Sequence, residues 1–468
     1  MKNQKKTGEL KFRDYFGTTA MSVTDGLAST VMTGLFMLYL TDYAGIGQWG
    51  AILGSGLLMF ARLFDAINDP FEGWLMDRGK ITKYGKYRPF IFLSILMTAA
   101  GLCGLFSLPS VFADNPVMIC VWVIVFYLLY DMGATFYAPN LIYRTLSLDS
   151  NDRSKLLIAP RALNMIIGMV GAAIISMMLI SAVLSLLGIA LIKERHIPET
   201  TKEDKVKVTD IFGMIKTNGA LRIRLADMLF TGFIWNFLFA TATYYAKWAY
   251  CTDLTTGAVD TAKLGTFTMV SSLLMFFPLI IGTLVASPIM KAIGSPIRFH
   301  RILILLEFVP GGILFVLQMV GLLQSLPAVY LLCMGVCACA IGMDYIPGEV
   351  INIEAMDYEI YKNGKDRSAL CNAANKFLGK AQSAVASGLV GVILVAVGYE
   401  VDSATDTFLG ELSSIPVMLD WFIVIMGLIP FFLGLVGWLV LKRYPITDEI
   451  RADMHEKLSG TSHAAGNT

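Results

Sequence analysis

Runs of about 20 mostly apolar residues recur along the whole chain, and each is long enough to cross a hydrocarbon core of about 30 Å. Candidate spans are 22–41, 50–70, 89–109, 117–140, 226–248, 266–290, 302–323, 327–347, 375–398 and 416–441, with a longer run over 157–192. So many spans in 468 residues exclude a soluble core: 56% of the residues are apolar and 16% charged, against roughly 45–50% and 25% in soluble domains. The chain reads as an all-α polytopic membrane protein whose surrounding partner is the lipid bilayer. A net charge of +1 offers no electrostatic footprint for nucleic acid. The seven cysteines have no histidine or cysteine spacing that suits a metal site or a disulfide framework, and they read as small apolar residues. The first twenty residues hold no apolar core, so no cleavable signal is expected there.

The connecting segments sort by charge. The N-terminal tail, 77–88, 144–161, 193–224, 291–301, 362–367 and the tail from Lys442 are basic, whereas 42–49, 110–116, 322–327 and 399–415 contain no Lys or Arg. By the positive-inside rule both termini are cytoplasmic, which requires an even number of crossings of an inner or plasma membrane. One stretch resists the count. Only 31 residues separate Arg161 from Lys193, whereas two ordinary spans need about 40. The expectation is therefore nominally 12 transmembrane helices with a short, abnormal fifth and sixth. The charged stretch 193–224 divides residues 1–192 from 225–445, ahead of a tail at 446–468. Two six-helix bundles joined by a cytoplasmic linker are the major-facilitator architecture.

Charges inside the spans carry the functional signal. An ionisable residue in the bilayer costs at least about 2.5–3.5 kcal/mol, so it normally faces a cavity or a partner. In ARLFDAINDPFEGWLMDRGK, Asp65 and Asp69 lie four apart on one helix face, with Arg62 on the same face. Two carboxylates in low dielectric either share a proton or hold a cation between them. Sodium takes oxygen ligands, and Asn68 is placed to add one. The other reading has both aspartates capping or pairing with Arg62 near a helix end that Pro70 weakens. Asp25 and Asp131 have small polar and aromatic neighbours, including Tyr137. Such neighbours suit a sugar, whose hydroxyls bond carboxylates while a ring stacks on its apolar face; an interhelical polar pair is the alternative. Lys376 and Lys380 lie four apart among small residues, where a lysine would neutralise the aspartates when the cation leaves. Lys376 is the better placed of the two to snorkel to the surface. Tyr345 is deep enough to line a cavity. No nucleotide-binding loop, H-E-x-x-H or G-x-S-x-G is present, so neither a cofactor nor enzymatic chemistry is expected, and an ion gradient remains as the driving force.

The run RLFDAINDPFEGWLMDRGKITKYGKYRPF closely resembles the signature of the glycoside–pentoside–hexuronide:cation symporter family. FRDYFGTTAMSVTD, TDYAG, LSLDSNDRSKLLIAPR, TYYAKWAY and EAMDYEIYKNGKDR agree in order, so the resemblance covers about residues 10–440. It implies that Asp65 and Asp69 form a sodium, lithium or proton site, preceded by Arg62. It further implies that Asp25 bonds sugar hydroxyls, that Arg161 lies near the sugar, and that Tyr345 stands where some relatives place a tryptophan. Lys380 is similar to the lysine that links the two sites. Gly73, Asp77, Arg78 and Lys86 match a cytoplasmic loop that latches the halves together. The expected function is symport of a glycoside or related sugar with Na+ or H+, by a monomer. Galactoside carriers have an aspartate where Tyr137 or Ala138 stands here, and an aromatic in place of Leu141. These departures and the short stretch 162–192 keep two alternatives open: a non-sugar cargo such as a hexuronate-like anion or a lipid-like molecule, and a non-transporting sensor on the same fold.

Overall fold

The computed structural model describes residues 10–40, 44, 57, 68–112, 115–170, 178–198, 207–397, 399, 401–402, 407–460 and 462–463. Helices begin where the sequence supplies a proline or a polar cap. Pro116, Pro139, Pro296 and Pro327 each open a helix, at positions where a backbone N–H would lack an intrahelical acceptor in any case. Asn115 and Asp260 accept the amides of Met118 and Lys263 at 3.2 and 2.9 Å. Gly294, at φ 78°, ends the helix before it.

The chain divides into two compact units, 1–221 with 352–377 and 446–468, and 222–351 with 378–445. In the first unit the helices are α1 (Phe12–Met21), α2 (Val23–Leu38), α3 (68–77), α4 (Arg88–Leu105), α5 (Pro116–Phe136) and α6 (Pro139–Leu146). They are followed by α7 (Ser150–Val170), α8 (Met178–Leu191) and α9 (Asp210–Thr217). α4 pairs with α5 and α8, and α1 and α2 pack on α7 and α8. Polar side chains bridge the apolar surfaces: Ser94 donates to the Gly133 carbonyl at 2.7 Å and Trp122 Nε1 to the Gly104 carbonyl at 2.8 Å.

The second unit is built from α10 (Gly219–Tyr250), α11 (Thr261–Ile293), α12 (Pro296–Met319) and α13 (Pro327–Asn363). α14 (Ser368–Ala396), α15 (Ser414–Ile423) and α16 (Ile429–Val440) complete it. The ends of α13 and α14 nearest residues 352–377 belong to the first unit, as does α17 (Asp448–Gly460). α12 packs on α11, α15 and α16. A π turn at Val424–Leu428 joins the last two just before Pro430, which has no N–H to continue the ladder. Tyr245 donates to Gln318 and Gln318 to Asp420, both at 2.7 Å, tying α10, α12 and α15 together.

Among the described residues, seven helices are long and apolar enough to cross a membrane. The most apolar stretch of α11 is only 22% buried within the protein. Side chains such as Phe277, Leu332 and Val125 are more than half exposed. Water would not tolerate that much exposed apolar surface, and lipid does. The chain is a multi-pass membrane protein.

The stretch 157–192 resolves into two helices. α7 starts at Ser150, inside the basic segment 144–161 that reads as a connection, and α8 is short, with 14 residues; residues 171–177 lie outside the described residues. The polar start of α7 is helical because its charges are satisfied inside the protein. Ser150 donates to Glu354 at 2.6 Å, and Arg153 bonds Asp357 at 2.5 Å and the Ser147 carbonyl at 2.7 Å.

The entry to α4 is also fixed by charge. Glu194 accepts the backbone amides of Lys86, Tyr87 and Arg88 at 3.0, 2.9 and 2.8 Å. These are amides that a helix start leaves without partners. Gly85, at φ 109°, turns the chain there, and a Cβ at that position would collide with the Glu194 carboxylate. Glu194→Ala leaves three buried amides unsatisfied. It is expected to lower stability by about 1–3 kcal/mol, read as a lower thermal midpoint of the purified protein in detergent.

Candidate functional site

α5 stops at Phe136 because Pro139 follows. The residue before a proline is driven out of the helical region, and Ala138 sits at φ −127°, ψ 68° with Tyr137 extended. The helix therefore ends with carbonyls exposed inside the first unit, and such carbonyls attract cations. Lys376 Nζ meets them, donating to the Thr135 carbonyl at 3.0 Å and the Tyr137 carbonyl at 2.5 Å. Lys376, which the sequence suggests would snorkel to the surface, is half-buried and bonded to the end of α5. Asn140, at the start of α6, donates to Asn372 on α14 at 3.4 Å.

Beside this contact lies a cavity of about 10 Å³, lined by Asp69, Glu72, Thr135, Asn372 and Lys376 together with small apolar residues. That is room for about one water-sized group. The wall is tight because α3 and α14 touch through glycine: a Cβ on Gly73 would lie 2.8 Å from the Ala369 carbonyl oxygen and 2.9 Å from the Ala373 methyl. Asp69 is 2% exposed and Glu72 3% exposed. Asn68 donates to Glu72. Arg62 and Asp65 lie outside the described residues.

Asp25, Tyr137, Arg161 and Lys376 act on one another electrostatically. The cations that bear on Asp25 are Lys376 and Arg161, and Asp25 in turn bears on Tyr137. Three of the residues expected around a sugar therefore share one neighbourhood in the first unit, beside the small cavity. Asp131 is buried on α5, one turn before Thr135, whose hydroxyl donates to the Asp131 carbonyl at 3.0 Å. Tyr345 and Lys380 belong to the second unit. There Tyr345 meets Trp235 edge to face at 6.0 Å.

The sequence singled out neither Glu72 nor Asn372, nor Asn375, which is buried with neither amide atom hydrogen-bonded among the described residues. Glu72 was legible in principle, since it lies one turn after Asp69 on the same face. Asn372 and Asn375 carried no signal beyond their distance from Lys376.

The loop residues form a buried ion-pair network. Lys86 binds Asp366 at 2.8 Å with both side chains fully buried, and Tyr87 donates to the same oxygen at 3.1 Å. Arg144 pairs with Asp357 at 3.0 Å and reaches Asp366 at 3.6 Å, while Arg153 shares Asp357. Asp77 accepts the amides of Ala369 and Leu370 at 2.8 and 2.9 Å, capping the start of α14. Arg78 is exposed and lies over the Trp74 ring at 4.9 Å. Arg451 binds Glu354 at 2.8 Å and ties α17 to the same segment.

Burial pushes the Asp366 carboxyl up, but Lys86 and Arg144 override it and hold the group well below the ordinary carboxylate range. A folded-state value below the unfolded one means that the stabilisation is complete above about pH 4 and is lost only as pH falls further. The Lys86–Asp366 pair therefore stays charged at neutral pH. Lys86→Ala or Asp366→Ala strands a buried charge and is expected to cost about 3–5 kcal/mol. The double variant Lys86→Met/Asp366→Leu is expected to cost less than either single change, as measured by thermal unfolding in detergent.

Comparison with known proteins agrees with this arrangement. A family model described as MFS/sugar transport protein matches residues 16–448. The glucuronide carrier protein homolog of Escherichia coli is 37% identical over 84 residues, covering 18% of this chain and 17% of that protein. The lactose permease of Lactobacillus helveticus is 31% identical over 137 residues, 26% of this chain and 20% of that one. The matched stretches span a quarter or less of the curated relatives' own length. Among solved structures, the Escherichia coli fucose:proton symporter FucP superposes with a TM-score of 0.56 at 13% identity, covering 93% of this chain and 98% of that one. The proton:xylose symporter XylE gives 0.57 at 14% identity, covering 95% and 97%. These likenesses establish the major-facilitator fold. A family match running from α1 to α17, on a chain whose buried charges gather around Asp69 and the 77–88 loop, places this protein in the MFS/sugar transport family.

Proposed function

We propose that the protein is a secondary symporter that moves a glycoside or related sugar together with Na+ or H+ across the cytoplasmic or plasma membrane. The observation that carries this reading is the ion-sized cavity lined by Asp69, Glu72, Thr135, Asn372 and Lys376, adjoining Asp25, Tyr137 and Arg161. The cavity offers oxygen ligands and a tethered cation, while the neighbouring group offers a carboxylate, a phenol and a guanidinium for sugar hydroxyls. A cation entering beside Asp69 and Asp65 neutralises carboxylates that Lys376 otherwise faces alone. The lysine is then released to the α5 carbonyls, and Asp25 becomes a better acceptor for a hydroxyl. Occupancy of one site thus favours occupancy of the other, and a coupling of about 1–3 kcal/mol, or 5–150-fold in affinity, is enough to link two gradients. In this reading residues 1–192 and 225–445 are the two bundles, 193–224 the cytoplasmic linker, and both termini are cytoplasmic; Asp131, Tyr345 and Lys380 line the sugar path. The Lys86–Asp366 network is the latch that a transport cycle breaks and remakes.

A hexuronate-like cargo is the second reading, supported by Arg161 beside Asp25 and by the likeness to a glucuronide carrier homolog. Arg144 does not support it, because that guanidinium is held by Asp357 and Asp366.

Cells or vesicles carrying the chain are expected to take up sodium or protons when one member of a panel of glycosides, pentosides and hexuronates is added. Asp69→Cys and Asp65→Cys are each expected to remove cation-stimulated uptake, at a loss of at least the roughly 5–150-fold that the coupling supplies. Normal stimulated uptake by either variant would remove the cation-site assignment.

A further inference from the structure

A second group of buried charges lies entirely within the second unit. His300, one turn into α12, is 1% exposed and is held from both sides. Its Nε2 lies 3.0 Å from Asp227 on α10, and its Nδ1 contacts Asp344 on α13. Arg224 pairs with Asp227 and approaches the same imidazole nitrogen at 3.2 Å. A neutral imidazole with its proton on Nδ1 satisfies Asp344 while Arg224 satisfies Asp227, and an imidazolium donates to both carboxylates. In either form both carboxylates keep a donor, so the group can take up or give up a proton.

Glu307 lies two turns further along α12 on the same face. It is 6% exposed, and its Oε1 has no hydrogen-bond partner among the described residues. Helical side chains lean toward the N-terminus, so Glu307 leans toward His300. The charges that act on it most strongly are Asp344 and His300, followed by Asp227 and Arg224. On the facing helix, Cys337 donates its thiol to the Glu307 carbonyl at 3.4 Å, seven residues before Asp344. His300 against Asp344 and Glu307 against Cys337 thus mark one antiparallel α12–α13 contact.

The other elements packed on α12 bring no competing charge to this spot. α16 and the π turn contain no charged residue. Asp420 of α15 is held by Gln318, eleven residues beyond Glu307, and Lys291 of α11 is exposed. Arg224 and an imidazolium balance Asp227 and Asp344, so an ionised Glu307 would be a third carboxylate against two cations, in a helix that crosses the membrane. A buried charge in that position is neutralised instead.

We propose that Glu307, set against the Arg224–Asp227–His300–Asp344 group, is a proton-binding site of the second unit, separate from the Asp69 cavity. The proton sits on the Glu307 carboxyl and exchanges with the His300 group. The site takes no metal ion in this reading, since protonation alone removes the excess charge. Binding of the proton does not depend on the transport reading, and its test needs no sugar.

The test is infrared difference spectroscopy of the purified full-length protein in detergent, titrated from about pH 5 to about pH 9. The expected result is a protonated-carboxyl carbonyl band that loses intensity with rising pH and is absent from Glu307→Gln. Glu307→Asp, which keeps the acid, is expected to retain the band at a shifted frequency, and it serves as the readout should the glutamine variant fail to fold. No carboxyl band at any pH, a band unchanged across the titration, or a band identical in wild type, Glu307→Gln and Glu307→Asp would each overturn the proposal. Cation-stimulated uptake by Asp69→Cys reads the other site and does not bear on this one.

Discussion

Within the first unit, residues 352–377 are held by charges that have almost no access to water. Lys86 and Asp366 are fully buried as a pair, and Arg144 and Arg153 converge on Asp357 beside them. Taking such groups out of water is expensive, and one isolated pair in that position would add little net stability. A shared network changes the balance, because each carboxylate is satisfied by more than one donor and each added partner finds its target already ordered. Tyr87 and Ser368 complete Asp366, and Ser147 completes Arg153. What the network supplies above all is register. Only one placement of 352–377 satisfies all of these groups, and that placement brings Lys376 to the end of α5.

Helix ends supply the other half of the arrangement. Glu194 closes the start of α4 and Asp77 the start of α14, each with a carboxylate on backbone amides. The break at Pro139 does the opposite, presenting carbonyls to an ammonium. These three ends use the same local dipoles, positive at a helix start and negative at a helix end. They explain why Asp77 and Lys86 of the charged 77–88 loop are buried. Asp77, Lys86 and Arg88 act as fasteners, on the start of α14, on Asp366 and on the carbonyls that end α8, whereas Arg78, Lys80 and Lys83 are exposed.

Much of this was legible in sequence. The apolar runs fixed the membrane class, and the resemblance singled out Gly73 and Asp77, both of which the structure sets against α14. The start of α7 was not legible, because a polar stretch reads as a loop unless its partners are known, and the partners of Ser150 and Arg153 lie about 200 residues away. Lys376 was misplaced for a related reason. A lysine near a helix end has water as its default partner, and nothing local announced that Pro139 would expose the carbonyls of Thr135 and Tyr137. The Asp227–His300–Asp344 group was invisible for the same cause, since its members come from three helices and no periodicity connects them.

The two units differ in how their buried charges balance. In the first, Lys86, Arg144 and Arg153 stand against Asp77, Asp357 and Asp366; Asp366 stays ionised far below neutral pH, while burial pushes the Asp77 carboxyl up to about 7. Such a network responds to being pulled apart, and its Lys86–Asp366 pair is indifferent to ordinary changes in pH. In the second, Arg224 and His300 stand against Asp227, Asp344 and Glu307, one cation too few. A deficit of one charge in a low-dielectric interior is removed by one proton, which the Glu307 carboxyl takes up.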